Sequence, residues 1–149
     1  MATQYLLGNV RTKSRMERAR RKDEMTMTTA SALLQAHLNR VFNERDPSRR
    51  ARAIQELYSA DATFYEQEAT YSGTEAIARA VTDLLAALPP TLVFSMAAPA
   101  MENHDMGKLL WRGHLPDGTT VVTGTDVAKV KEGRIRSLYV FVDPVVSRS

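Results

Sequence analysis

The sequence contains no cysteine. Disulfide bonds, thiol catalysis and thiolate metal sites are therefore excluded, and an intracellular protein is the natural interpretation. No apolar run approaches the roughly 20 residues of a membrane-spanning helix, so we expect no membrane association and a cytoplasmic location. The three histidines, His37, His104 and His114, include no closely spaced ligand pair. The sequence consequently predicts no metal site.

The charge is unevenly distributed along the chain. Residues 1–24 hold seven Lys/Arg and three Asp/Glu and contribute +4, whereas residues 25–149 hold 13 basic and 14 acidic residues and contribute −1. A basic N-terminal arm of this kind can bind nucleic acid or an acidic membrane surface. Alternatively, it is a plain extension upstream of a true start codon at Met25 or Met27. Because the arm lacks interleaved aromatic residues, nucleic-acid binding is not favoured. We predict a disordered basic extension over residues 1–26 and one folded domain over residues 27–149.

The first half of the domain has helical periodicity. An apolar stripe from Leu33 to Phe42 predicts a first helix, and Asp46 with Pro47 predicts the N-terminus of a second. After a short predicted strand at residues 62–66, Ser72 or Thr74 is expected to cap a third helix, which ends at Pro89.

The second half alternates as strands do. The segments TLVFSMAAPAM, MGKLLWRGHL, TTVVTGTDVAKV and RIRSLYVFV predict four strands, and Gly118 and Gly133 mark hairpin turns before the last two. Helices followed by antiparallel strands predict an α+β fold, with the helices on one face of a curved sheet. The open end of such a cone-shaped sheet is a natural pocket.

One carboxyl group stands on an apolar strand face. Asp126 shares its face with Val122, Gly124, Ala128 and Val130. A carboxyl in such a place loses hydration, which raises its pKa unless a cation pairs with it, and a neutral carboxyl can act as acid, base or donor. The alternative is a structural carboxylate that accepts hydrogen bonds from backbone N–H groups or from an arginine.

The segments DATFYE…YSGTEAI and GTDV…EGRI…YVFVD resemble the nuclear transport factor 2 (NTF2)-like superfamily, in particular its SnoaL-type polyketide cyclase and ketosteroid isomerase branches. The resemblance covers about residues 30–143. It implies a cone-shaped, curved antiparallel sheet with three N-terminal helices on its concave face. It also implies a homodimer formed through the opposite face, where Lys108, Leu110, Arg112 and His114 are expected to lie.

The resemblance also implies roles for single residues. Asp126 matches the aspartic acid that ketosteroid isomerases hold protonated as a donor to an oxyanion, and Glu66 matches their general-base aspartate. The position of the isomerase tyrosine on the first helix is occupied by Leu38, so a second oxyanion donor is missing or is supplied elsewhere. The function implied is that of a cofactor-independent isomerase or cyclase acting on an apolar cyclic or polyketide-like carbonyl compound. The alternative is a non-catalytic pocket protein that binds a small ligand or a protein partner.

Asp126 and Glu66 are therefore the predicted catalytic residues. Glu66 shares a strand face with Phe64 and should point into the pocket, unless it is an exposed acid in a loop. The predicted substrate-binding residues either line the pocket or belong to the core; they are His37, Leu38, Tyr58, Phe64, Trp111, Tyr139 and Phe141.

Overall fold

The computed structural model describes residues 29–145, and the predicted extension at residues 1–26 lies outside the described residues. Within this range the chain forms three α-helices, a π-helical segment and seven β-strands. In chain order they are α1 (Ala30–His37), the π-helical segment (Leu38–Phe42), α2 (Pro47–Leu57), β1 (Tyr58–Tyr65), β2 (Thr70–Ser72), α3 (Thr74–Ala86), β3 (Val93–Met96), β4 (Met101–Asn103), β5 (Met106–His114), β6 (Thr120–Lys131) and β7 (Arg134–Val142). The predicted α+β class is confirmed.

The seven strands form one open, curved sheet in the order β2-β1-β7-β6-β5-β3, with β4 pairing beside β3 on β5. Strands β5, β6 and β7 are joined by the two predicted hairpin turns, where Gly118 and Gly133 have φ angles of 89° and 74°. Strand β1, however, runs parallel to β7. The sheet is therefore mixed and not wholly antiparallel as predicted, because the N-terminal strand pairs with the last strand of the chain.

Two helix starts show how local sequence and tertiary contacts compete. Asp46 caps α2 as predicted, since its carboxylate accepts a hydrogen bond from the Ser48 N–H at 3.0 Å. The N-cap of α3 is Gly73, not Ser72 or Thr74. Its N–H donates to the Ala62 carbonyl at 2.8 Å, and its φ of 87° is a conformation that glycine adopts at little cost.

The predicted first helix changes from α to π geometry after His37. It ends at Asn43, whose amide N donates to the Phe94 carbonyl at 2.7 Å and whose amide O accepts from the Phe94 N–H at 2.8 Å. This side chain therefore ties the end of the helix to β3 through two hydrogen bonds. π-Helical turns often occur at functional sites, and this one brings Leu38 and Phe42 onto the concave face of the sheet.

A bulge in β7 decides which side chains of that strand face the helices. Lys129 pairs with Ser137 and Val130 pairs with Ile135, so Arg136 has no opposite residue on β6. The extra residue reverses the alternation, and Ile135 and Leu138 both point inward although they are three positions apart.

The convex face of the sheet is the face opposite the helices. Lys108 and Arg112 are exposed there on β5, whereas their neighbours Leu109 and Trp111 are buried on the concave face. Homodimerisation through this face stays a prediction. Among the described residues, no helix is long and apolar enough to cross a membrane.

We expect Asn43→Ala to lower the free energy of unfolding by about 2–4 kcal/mol, because two backbone groups of the buried Phe94 would lose their partners. Chemical denaturation of the variant measures this change. Asn39→Ala, at an exposed position of the same segment, is the matched control. A loss in Asn43→Ala no larger than in the control would show that the two bonds do not stabilise the fold.

Candidate functional site

Asp126 lies in the middle of β6 with its side chain on the concave face. Gly124, Asp126 and Ala128 are the buried positions of this part of the strand, as the alternation predicts, and Asp126 is 2% exposed. No cation neutralises it among residues 29–145, since none of the salt bridges there includes Asp126. The sequence-based prediction of a carboxyl on an apolar face is confirmed.

The carboxyl accepts one hydrogen bond. The indole Nε1 of Trp111 donates to Oδ1 of Asp126 over 2.9 Å. Burial raises the pKa of Asp126 to about 7, and the indole hydrogen bond opposes this rise in part. Near neutral pH the group is therefore divided between its protonated and ionised forms, which is the condition that proton transfer requires.

A small cavity of about 10 Å³ adjoins this carboxyl group. Its walls are Leu38 and Phe42 from the π-helical segment, Phe94 from β3, Trp111 from β5 and Asp126. A cavity of this volume is at the lower limit for holding one water molecule and is far below the roughly 300–1,000 Å³ of typical small-molecule sites. A larger ligand can enter only if some of these side chains move apart.

Four aromatic rings form a continuous row, and the last three of them line the cavity. His37 contacts Phe42 edge-on at 5.1 Å between ring centroids, Phe42 contacts Phe94 at 5.3 Å, and Phe94 contacts Trp111 at 5.6 Å. Edge-to-face pairs are the favoured aromatic geometry, so the row holds itself together while it keeps water from Asp126.

His37 and Tyr58 form a second buried polar pair beside this row. The Tyr58 hydroxyl lies 2.7 Å from Nε2 of His37, and both residues are fully buried. Burial lowers the pKa of His37 to about 3, so the imidazole is neutral at physiological pH. Burial, and then the charge of Asp126, raises the pKa of Tyr58 well above its usual value. Neither residue lines the cavity.

Glu66 lies one residue beyond the end of β1 and is half-buried, and burial raises its pKa. Tyr65 pairs with Tyr139, so Glu66 is level with Val140, and Val140 pairs with Asp126. The two carboxyl-bearing positions are therefore two strand spacings apart, about 10 Å. Glu66 is not part of the cavity wall.

The other predicted pocket residues divide between the core and the convex face. Phe64 is fully buried in the core. Tyr139 and Phe141 are 39% and 49% exposed on the convex face, and Tyr139 stacks on Tyr65 at 4.4 Å. The prediction that these two residues line the pocket fails because the bulge at Arg136 reverses the alternation that starts at Ile135.

Two cavity residues were not predicted as site residues. Phe42 is four positions after Leu38, a spacing that places both on one helix face, and Phe94 is a buried position in a strand pattern. Both signals indicate burial without distinguishing a cavity wall from the core. Within residues 29–145, no three His, Asp or Glu side chains are grouped closely enough to hold a metal ion.

We expect Asp126→Asn to stabilise the protein at pH 8 but not at pH 4. The raised pKa means that wild-type stability falls as pH rises from 3.8 to about 7, by an amount on the order of 4 kcal/mol, because the folded state holds the proton more tightly than the unfolded state. The amide oxygen can still accept the Trp111 hydrogen bond. The lowered pKa of His37 makes the stability fall as the pH drops below 6.5, but this contribution is the same in wild type and in Asp126→Asn.

Thermal unfolding from pH 4 to 8 measures this difference, with the exposed Asp105→Asn as control. If Asp126→Asn melts lower than wild type at pH 8, the carboxylate stabilises the fold and the desolvation argument is wrong.

Comparison with known proteins assigns this chain to a family. The model of the SnoaL-like domain matches residues 34–138, and no curated protein matches the chain. A candidate isomerase of the SnoaL-like family from Agrobacterium tumefaciens is 26% identical, with a TM-score of 0.71, over 79% of this chain and 100% of that one.

Two further solved structures share the fold at lower identity. A candidate polyketide cyclase from Sinorhizobium meliloti is 20% identical, with a TM-score of 0.58, over 72% of this chain and 92% of that one. A protein from Catenulispora acidiphila with a ketosteroid isomerase-like fold, in complex with trimethylamine, is 18% identical, with a TM-score of 0.58, over 76% and 86%. The family match, which spans more than two thirds of the chain, shows that this protein belongs to the SnoaL-like domain family.

Proposed function

We propose that this chain is a cofactor-independent isomerase or cyclase that moves a proton next to the carbonyl group of a small apolar molecule. The observation that carries the proposal is the Asp126 carboxyl, which is buried at an apolar cavity, has a pKa of about 7 and has no cationic partner among the described residues. Such a group can donate a hydrogen bond at neutral pH without holding a full charge in an apolar site. The SnoaL-like family, with its candidate isomerases and cyclases, supports this class of reaction.

The proposed chemistry divides between two carboxyl groups. The carboxylate of Glu66 takes a proton from the carbon beside the carbonyl, and the C–H electron pair forms the enolate. The protonated Asp126 donates a hydrogen bond to the enolate oxygen. Glu66 then returns the proton to another carbon of the conjugated enolate, which isomerises the molecule. Alternatively, the enolate carbon attacks a second carbonyl carbon of the same molecule, the C=O electron pair moves onto its oxygen and takes the proton from Glu66, and a ring closes.

The spacing of the two groups fits a ring-sized substrate. About 10 Å separates the two backbone positions, and the side chain of Val140 lies between them on the same face of the sheet. The Glu66 carboxyl is half-buried and can exchange its proton with water, whereas Asp126 is enclosed. Substrate binding would require Leu38, Phe42 or Phe94 to move, since the cavity is too small for a ring.

A second candidate function is the non-catalytic binding of a small ammonium ion. Three aromatic rings and one carboxyl group line the cavity. Aromatic rings attract cations through their faces, and an ionised carboxyl attracts them through its charge. The Catenulispora acidiphila protein of the same fold is in complex with trimethylamine. The two candidates require different states of Asp126, since an oxyanion needs the protonated form and an ammonium ion needs the ionised form.

The catalytic proposal predicts deuterium exchange next to a carbonyl group. Simple cyclic ketones incubated with the protein in D₂O should gain deuterium at the adjacent carbon, as measured by mass spectrometry. Asp126→Asn and Glu66→Gln should each lower the exchange rate by about 10²–10⁴, the usual contribution of a general acid or base. The rate should fall above about pH 7 as Asp126 ionises, and this dependence should be absent in Asp126→Asn.

Exposed carboxyl groups supply the controls for this exchange. Glu68→Gln is two positions from Glu66, and Asp105→Asn lies in an exposed turn. Exchange that is equal in wild type, controls and site variants would mean that neither carboxyl is catalytic.

The binding proposal predicts that trimethylammonium chloride changes the fluorescence of Trp111, the single tryptophan of the chain. The change should saturate, should be stronger at pH 8 than at pH 5 because Asp126 is ionised there, and should be lost in Asp126→Asn. tert-Butyl alcohol, which has a similar shape but no charge, should give no such change. An equal response to both compounds would contradict cation binding.

A further inference from the structure

Trp111 and Gly124 lie opposite each other on neighbouring strands. Trp111 on β5 pairs with Gly124 on β6, and the next pair on the same face is Leu109 with Asp126. The indole therefore reaches its hydrogen-bond partner diagonally, along β6 from Gly124 toward Asp126.

Gly124 makes this reach possible. A Cβ atom added at Gly124 would lie 2.3 Å from Cζ2 and 2.7 Å from Cη2 of Trp111, and 2.4 Å from the carbonyl oxygen of Phe141. These distances are well inside van der Waals contact, and the Phe141 oxygen belongs to the backbone of the paired strand β7 and cannot turn aside. The benzene ring of the indole therefore occupies the space above Gly124, and any side chain there would push the ring, with its N–H group, away from its present position.

The indole N–H can only donate, and this fixes the role of each carboxyl oxygen. Oδ1 of Asp126 is the acceptor, so a proton on the neutral carboxyl resides on Oδ2. Within residues 29–145, Oδ2 takes part in no hydrogen bond, and the carboxyl group that carries it forms part of the cavity wall.

We infer that Trp111 is a positioning residue for Asp126, and that Gly124 is a glycine because only a residue without a side chain lets the indole hold Oδ1 and leave the protonated Oδ2 to the cavity. The inference deepens the proposed function and rests on it for its consequence in catalysis. The pairing itself is a property of the resting protein, and it can be measured without any substrate.

The single tryptophan makes the test direct, because the indole N–H gives one resonance in a ¹H–¹⁵N spectrum of the full chain. This resonance should titrate with Asp126, with a midpoint near pH 7, and should become independent of pH in this range in Asp126→Asn. In Gly124→Ala the resonance should move. The Asp126 midpoint, measured on ¹³C-labelled carboxyl groups, should rise by about one pH unit, because the ionised form loses its donor.

Trp111→Phe should raise the carboxyl midpoint in the same direction. Gly113→Ala is the matched control: Gly113 is also a buried strand glycine, and its added Cβ would crowd Val122 and Leu92, whereas it would meet the cavity residue Phe94 only at an ordinary contact distance of 3.4 Å. We expect Gly113→Ala to lose stability but to keep both the indole resonance and the Asp126 midpoint of wild type.

An Asp126 midpoint that is unchanged in both Gly124→Ala and Trp111→Phe would overturn the inference. The same midpoint shift in Gly113→Ala would also overturn it, since a general loosening of the sheet would then be the cause. The proposed function can be disproved independently of this inference. If the titrations follow expectation but no ketone exchanges deuterium, the positioning stands and the catalysis does not; if exchange depends on Asp126 while the midpoints do not move, the reverse holds.

Discussion

The candidate site depends on one energetically unfavourable feature. The Asp126 carboxyl is buried on the concave face of the sheet and has a single hydrogen-bond donor. An ionised carboxylate in such a place loses most of its hydration, and one neutral N–H group replaces only a small part of it. The pKa of about 7 is the direct consequence. A structural role would be served better by an arginine or by several backbone N–H groups, which would keep the carboxyl charged and low in energy. The arrangement instead keeps it able to change its protonation state.

The surroundings of Asp126 exclude water without supplying charge. The rings of Phe42, Phe94 and Trp111 form three of the five cavity walls, and His37 packs behind Phe42; the π-helical segment contributes two of the five wall residues. Asn43 holds the end of this segment against β3, where the next ring, Phe94, begins its contacts. The geometry of the π-helical segment, the packing of the aromatic rings and the protonation of Asp126 are therefore linked by direct contacts. A change in any of them alters the dielectric environment of Asp126.

The second carboxyl has a different environment, and the difference suits a division of roles. Glu66 is half-buried at the end of a strand, and its pKa is raised by burial alone. It lies about 10 Å from Asp126 across Val140. Two carboxyl groups with different exposure on the two sides of one apolar surface can serve as base and as acid in the same reaction. The tyrosine expected on the first helix of an isomerase is absent and Leu38 stands in its place. Among the described cavity-wall residues, Asp126 is then the one that can donate to a substrate, because the indole N–H of Trp111 already donates to Asp126.

The sequence by itself determined the α+β class, the hairpins at Gly118 and Gly133, the Asp46 cap, and the inward direction of Asp126, because each of these follows from local backbone preference or strand alternation. Only the tertiary structure decided the parallel pairing of β1 with β7, the bulge at Arg136 that turns Tyr139 and Phe141 outward, and the meeting of Phe42, Phe94 and Trp111 around one carboxyl. These features depend on contacts between residues far apart in the chain, and no local pattern records them. Gly124 shows the difference most clearly. Its neighbours in the sequence give no sign of its role, whereas the structure shows that an indole ring from β5 and the backbone oxygen of Phe141 on β7 fill the space that a side chain would need.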